Sequence, residues 1–247
     1  MHLAAILPRL EEVAAYDPAA RELIRNWNFA VQFQLPGGNP ACTLVFKDGA
    51  LTAVADAAYG SKVTLTFPNA KALNETFLGV AKHTPRPNVR GLFYARKLKK
   101  LDRLTDRLEY YLKASEEQLK ADGHFEFAVK VRLYVLASGV GCVGEHDPEM
   151  KEVVAGLPDG TLEIRVKDGP SARLEITSGK FHFTKGGDSQ QPSAVMELAD
   201  PQTAWQLLED KLDVFAAVGG GSVKLSGMLP LVDGVGLVMT RLGTYLA

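Results

Sequence analysis

The sequence predicts an α+β fold built as two tandem copies of one unit. Three observations predict it. The segment DRLEYYLK at 106–113 and the closing TRLGTYLA share the pattern R-L-x-x-Y-L. Upstream, DPAARELIRNW at 17–27 faces DPEMKEVVAGL at 147–157. Between these anchors, strand-like and helix-like segments follow in the same order, at offsets of about 130 to 136 residues. A repeat of that length is a duplicated domain and not a solenoid.

The first anchor of each copy reads as a helix start. Asp17 and Asp147 stand at N-caps, with Pro18 and Pro148 at the first helical position. Period-two alternation then marks strands, with Phe29, Val31, Phe33 and Leu35 on one face, and Leu162, Ile164 and Val166 on the other copy's face. Hairpin pairs follow, turning at KDG (47–49) and TSG (177–179), sequences that tolerate positive φ. A further strand comes next, over 62–73 and 193–204, with Val63, Leu65 and Phe67 answering Ala194, Met196 and Leu198. Asn69 and Asp200 then cap amphipathic helices. Short glycine-marked strands, NVRG (88–91) and SVKLSG (222–227), precede a long final helix in each copy. The stretch 125–135 alternates like a strand, whereas the repeat favours a helix there.

The chain has 247 residues, 46% hydrophobic, with a net charge of −1. That suits two soluble units, each able to bury a core. We expect a first domain at 1–113, a polar connector at 114–128 begun by a Ser115–Gln118 capping box, and a second domain at 129–247. Near-zero charge gives no global attraction to nucleic acid. Cys42 and Cys142 form no C-x-x-C pair, which argues against a disulfide framework or zinc knuckle. MHLAAILPRLEE reads as a helix of the mature protein and not as a signal peptide. No run of about 18 apolar residues is present, so no membrane span is expected. The expected compartment is the cytoplasm.

The stretches FAVQFQL, CTLVFKDGALTAV and KVTLTFPNAKALNETFLG resemble the sterol carrier protein 2 domain family. So do LEIRVKD, ARLEITSGKFHF, SAVMELADPQTAWQLLEDK and GGSVKLSGMLPLVDGVGLVMTRL. The resemblance covers nearly the whole chain as two copies. It implies, for each copy, a mainly antiparallel sheet of about five strands covered by helices. It also implies an apolar tunnel for a sterol, fatty acid or acyl chain, with no cofactor. The first copy departs where AKHTPRPNVRG is proline-rich. Its final helix (92–113) carries seven Lys/Arg against three Asp/Glu, whereas 228–246 has only Asp233 and Arg241.

Candidate ligand-binding residues follow from the inward faces. In the first copy they are Phe33, Leu44, Phe46, Leu65 and Phe67. In the second they are Ile164, Ile176, Phe181, Phe183 and Met196, with Leu225 from VKLSG. Leu231, Leu237 and Met239 come from the 228–246 helix, whose nearly all-round apolarity implies burial as a seam or a lid. A filled core and an open cavity need the same apolar faces. The basic helix presents Arg96, Lys97, Lys99, Lys100 and Arg103. It reads as a solvated face or as a contact with an acidic membrane surface or acidic protein. The five histidines show no metal-ligand spacing, and no phosphate loop or Gly-x-Ser-x-Gly is present. Cys42 alternates onto the Leu44 and Phe46 face as a buried thiol. These readings point to non-catalytic carriage of an apolar small molecule, mainly by the second copy. The alternatives are a ligand-free pseudo-dimeric interaction module, or an accessory protein that presents a hydrophobic substrate to a partner enzyme.

Overall fold

A computed structural model divides the chain into two compact units, Met1–Lys113 and Ala114–Ala247. The structure describes residues 1–54, 63–78, 80–81, 83–186 and 190–246. The first residue of the strand expected over 62–73 lies outside them.

The first unit opens with a helical stretch from His2 to Arg9, then α1 (Leu10–Tyr16) and α2 (Pro18–Ile24). Strands β1 (Phe29–Gln34), β2 (Ala41–Lys47), β3 (Ala50–Val54) and β4 (Val63–Thr66) follow. Then come α3 (Ala70–Leu78), β5 (Arg86–Pro87), α4 (Val89–Phe93) and α5 (Ala95–Lys113). The sheet order is β3-β2-β1-β4-β5, with β1 and β4 parallel and the other pairs antiparallel. The β2–β3 loop is two residues, Asp48 (φ 51°) and Gly49 (φ 79°). Both lie in the left-handed region that a tight hairpin requires.

The second unit begins with α6 (Glu116–Ala121), α7 (Phe125–His146) and α8 (Lys151–Ala155). Strands β6 (Gly160–Val166), β7 (Ser171–Thr177), β8 (Lys180–Lys185) and β9 (Ala194–Leu198) follow. Then come α9 (Pro201–Leu208), α10 (Val214–Gly219), β10 (Val223–Gly227) and α11 (Leu229–Leu246). Its sheet order, β10-β9-β6-β7-β8, is the same arrangement, again with one parallel pair, β6 and β9. Even the register repeats. Val31 lies between Leu44 and Val63, as Leu162 lies between Leu174 and Ala194. Ser178 (φ 51°) and Gly179 (φ 73°) repeat the Asp48–Gly49 turn. The duplicated α+β architecture is therefore a property of the backbone pairing.

Residues 125–135 are helical. Their alternation is part of an apolar surface that wraps the helix, since Phe127, Val129, Val131, Leu133, Tyr134 and Val135 are all buried. The helix packs on β7, β8, α9 and α11, so it needs apolar residues on several sides. It is long and apolar enough by composition to cross a bilayer, and 67% of its most apolar window is buried inside the unit. Leu119 of the segment before it is fully buried, and Lys120 Nζ reaches Gln202 Oε1 at 2.7 Å. The strand expected at 88–91 is replaced. Asn88 Oδ1 accepts from the Gly91 amide at 2.9 Å and starts α4, leaving a two-residue strand at Arg86–Pro87. Asn88 thus works as a helix cap, and Pro87 has no amide to extend the ladder.

One side-chain constellation closes each unit. Asp17 caps α2, accepting from the amides of Ala19 (2.8 Å) and Ala20 (3.3 Å). Its second oxygen accepts from Arg107 Nε (2.5 Å) and Tyr111 Oη (3.0 Å), one turn apart on α5. In the second unit Asp147 accepts from the Glu149 amide (2.9 Å), Arg241 Nε (2.6 Å) and Tyr245 Oη (2.9 Å). The repeated R-L-x-x-Y is therefore a clamp on the repeated Asp-Pro. The leucines beside the arginines, Leu108 and Leu242, are buried under it.

The clamp sets its own electrostatics. Burial pushes the Asp17 carboxyl upward, but the bonds from Arg107, Tyr111 and Ala19 outweigh it and hold the pKa below the usual value. Burial, then Asp17, push the Tyr111 phenol up to about 12. The Arg241 hydrogen bond, then the Glu149 amide, hold Asp147 low. A depressed carboxyl pKa gives stability that is present above the unfolded value and lost as pH falls through the folded one. Replacing Asp17 by Ala should cost about 2–4 kcal/mol, the sum of a lost cap and a buried phenol left without its acceptor. Asp17→Asn should flatten the loss of first-unit stability below about pH 4. Urea unfolding followed by Trp27 in a Trp205→Phe background reads this directly, since each unit holds one tryptophan.

Candidate functional site

The sheet faces named from the sequence do turn inward. In the first unit Phe33, Leu44, Phe46, Leu65 and Phe67 are all buried. Phe46 is enclosed by aromatic rings, stacked on Phe29 at 5.2 Å and edge-on to Trp27 at 4.9 Å. Tyr94 also stacks on Phe29 at 5.1 Å, and Lys97 Nζ lies 5.1 Å over that ring. Phe67 approaches Phe77 at 6.4 Å, and Phe77 stacks on His2. These rings already meet protein on their faces.

In the second unit the candidates fall into two groups. Phe181 and Phe183 lie on β8 under α7. The Phe181 ring is seated on glycines of α7, where a Cβ on Gly144 would come within 2.6 Å of it. Phe183 meets Tyr134 at 5.6 Å. Ile176 sits opposite Phe181 in the ladder and is fully buried. This corner is close-packed. The second group lies on the same face of the sheet, toward its β10 edge. Leu225, Met196 and Ile164 are direct neighbours across β10, β9 and β6. Helix α11 packs over these three strands.

Helix α11 corrects an expectation. It is not buried all round: Leu231, Val235, Val238 and Leu242 form its inner face, while Leu237 is 52% exposed. At 100° per residue Leu237 points away from that stripe and walls no interior. Met239 is half-buried at the stripe's margin. The nearly uniform apolarity of the segment hid which face was inward.

The glycines of α11 differ in purpose. A Cβ at Gly234 would meet Leu157 at 2.2 Å, so that glycine permits a close approach. Gly236 and Gly243 would meet nothing within 4 Å. They weaken the helix with no packing return.

Helix α10 was missed by sequence reasoning. Its signal was present: Asp213 Oδ1 accepts from the Ala216 amide at 3.0 Å, and glycines end the helix. It packs on the edge strand β10 and carries Phe215, 92% exposed, and Val218. Met228, Leu229 and Leu237 are also exposed, on the segment that follows β10. Five large apolar side chains thus face solvent on the elements flanking one sheet edge.

Titratable chemistry is elsewhere. Burial pushes the Cys42 thiol up to about 12, and burial also raises the half-buried Cys142. Both cysteines are free. Burial lowers His2 despite its bond to Asn74 at 3.0 Å. His83 Nε2 meets Glu75 Oε2 at 2.6 Å. Glu163 and Arg173 form a buried pair on the sheet's other face, with Arg173 also donating to the Gln190 carbonyl at 2.8 Å. Among the described residues no group of three His, Cys, Asp or Glu side chains could hold a metal ion.

Two substitutions separate the glycine roles. Gly236→Ala should raise stability by about 0.5–1 kcal/mol, the helix-propensity difference. Gly144→Ala should lower it by roughly 1–3 kcal/mol, because the Phe181 ring must move. Thermal unfolding of both variants checks the signs.

No protein-family model and no curated protein matches the chain. Among solved structures, sterol carrier protein domain 2 of Helicoverpa armigera is similar, at 16% identity and a TM-score of 0.37, over 45% of this chain and 87% of that one. The apo sterol carrier protein 2 of Yarrowia lipolytica is similar at 16% identity and 0.33, over 43% and 88%. A sec-alkylsulfatase from a Pseudomonas species is similar at 24% and 0.33, over 44% of this chain but 16% of its own. Over about half its length, the chain is similar to sterol carrier protein 2 domains.

Proposed function

We propose that the chain is a non-catalytic carrier of an apolar small molecule, such as a lipid, sterol or acyl chain, acting in the cytoplasm. The second unit is the carrying half. The observation that carries this reading is the exposure of Phe215 and Val218 on α10 and of Met228 and Leu229 at the start of α11, the elements that precede and follow β10 in the chain. Large exposed apolar side chains on consecutive elements mark a surface that meets apolar material. Across β10 and the strands beside it runs the apolar row Leu225, Met196 and Ile164, covered by α11. A helix weakened at Gly236 and Gly243 opens at lower cost than one built on alanine. An apolar chain admitted beneath it leaves water, gaining about 25 cal/mol per Å² buried. The free thiols Cys42 and Cys142 suit a reducing compartment.

The first unit takes the other half of the task in this reading. Its final helix carries cations where α11 is apolar, and it contacts an acidic surface from which cargo is collected or to which it is delivered.

The purified chain should release an apolar molecule into organic solvent, detected by mass spectrometry, and should displace a fluorescent fatty acid. Phe215→Ser should slow that exchange severalfold and leave the melting temperature within about 1 °C, because the ring is solvent-exposed. An empty extract together with no displacement would sink the carrier reading in favour of a ligand-free interaction module.

A further inference from the structure

The cationic end of the first unit adjoins exposed apolar groups in the chain. Residues 76–101 contain seven Lys/Arg and no Asp or Glu. Within α5, Arg96, Lys99, Lys100 and Arg103 recur at i, i+3, i+4 and i+7, so they lie along one face. All four are exposed. The buried stripe of the same helix, Leu101, Leu104 and Leu108, lies roughly a third of a turn round. Its carboxylates, Asp102, Asp106 and Glu109, occupy a third face. Lys97 is set apart from the cationic face, lying over the Phe29 and Tyr94 rings.

Immediately ahead of this stripe the chain exposes apolar groups. Val89 and Phe93 share a face of α4 at i and i+4, and are 76% and 86% exposed. Val80 is 73% exposed. Phe93 stands one turn before Arg96, and the Tyr94 carbonyl accepts from the Lys97 and Leu98 amides, carrying α4 almost directly into α5. Arg86 and Arg90 flank the apolar edge and are exposed.

A solvated cationic face needs no protruding phenylalanine beside it. Carboxylates alone would meet the cations and leave Phe93 in water. A lipid surface satisfies both features, because anionic headgroups meet the cations while acyl chains receive the apolar edge. We propose that the first unit docks on anionic lipid bilayers, with the Val89–Phe93 edge of α4 entering the acyl boundary and the Arg96–Lys99–Lys100–Arg103 stripe resting on the headgroups. This rests on the reading that the first unit meets an acidic surface, and adds what that surface is and how it is entered.

Co-sedimentation of the full chain with phosphatidylcholine vesicles, with and without phosphatidylglycerol, tests it. Binding should require phosphatidylglycerol and weaken as salt rises. The variant K99E/K100E/R103E should lower partitioning by at least roughly tenfold. Phe93→Ser should lower it severalfold while the salt dependence stays as in the parent. Both variants alter exposed side chains, so matched melting curves keep the comparison interpretable. If charge reversal abolishes binding but Phe93→Ser does not, the acidic-surface reading stands and insertion is overturned. If the parent ignores phosphatidylglycerol vesicles yet binds polyglutamate, an acidic protein replaces the bilayer and insertion is overturned. If it binds neither, both readings fall.

Discussion

Each unit depends on one buried carboxylate that does three jobs. Asp17 and Asp147 end the incoming helical segment, cap the next turn, and receive the arginine and tyrosine of the final helix. These bonds join residues 90 to 98 positions apart in the chain. The first and last elements of a unit are thereby locked together, with the sheet hydrogen-bonded between them in sequence. A charged acceptor with several donors is a strong arrangement where water is excluded, and a costly one if a donor is lost. That asymmetry explains why the five residue types recur together, Asp-Pro at one end and Arg-Leu-x-x-Tyr at the other, in units whose interiors otherwise differ.

Much of the fold was legible because local chemistry and long-range order agreed. Asp48–Gly49 and Ser178–Gly179 announced tight hairpins, and Asn69 and Asp200 announced helix starts. The clamp was half legible. The repeated Arg-Leu-x-x-Tyr and Asp-Pro were visible as patterns, but no sequence spacing tells that they meet. Residues 125–135 were ambiguous for a physical reason: a helix buried on several sides loses its 3.6-residue period. The same uniformity hid the orientation of α11, placing Leu237 and Leu231 on equal terms. Helix α10 was overlooked because six residues are too few to display a period, although Asp213 and the following glycines bracketed it.

The candidate site was legible only as a set of apolar faces. Phe181 and Phe183 belonged to that set by alternation, yet the glycines of α7 draw Phe181 into close packing. Leu225, Met196 and Ile164 carried the same signature and lie instead beneath α11. Which part of that one apolar face is filled by protein depends on what another element lays over it, and that is a three-dimensional fact. The copies also diverge on the sheet's opposite face. The first unit uses Gln32, Gln34 and Thr66 there, and the second uses the Glu163–Arg173 and Arg165–Glu197 pairs. A shared clamp and register leave both faces free to differ.

The account stands or falls on α11 as a cover that opens over the second sheet. Hydrogen–deuterium exchange resolved along the chain, with and without added fatty acid, reads that opening directly. The account predicts that amides around Gly236 exchange faster than those in the middle of α7, and that fatty acid slows the α11 amides while leaving α5 unchanged. Exchange in α11 as slow as in α7, and indifferent to fatty acid, would contradict it.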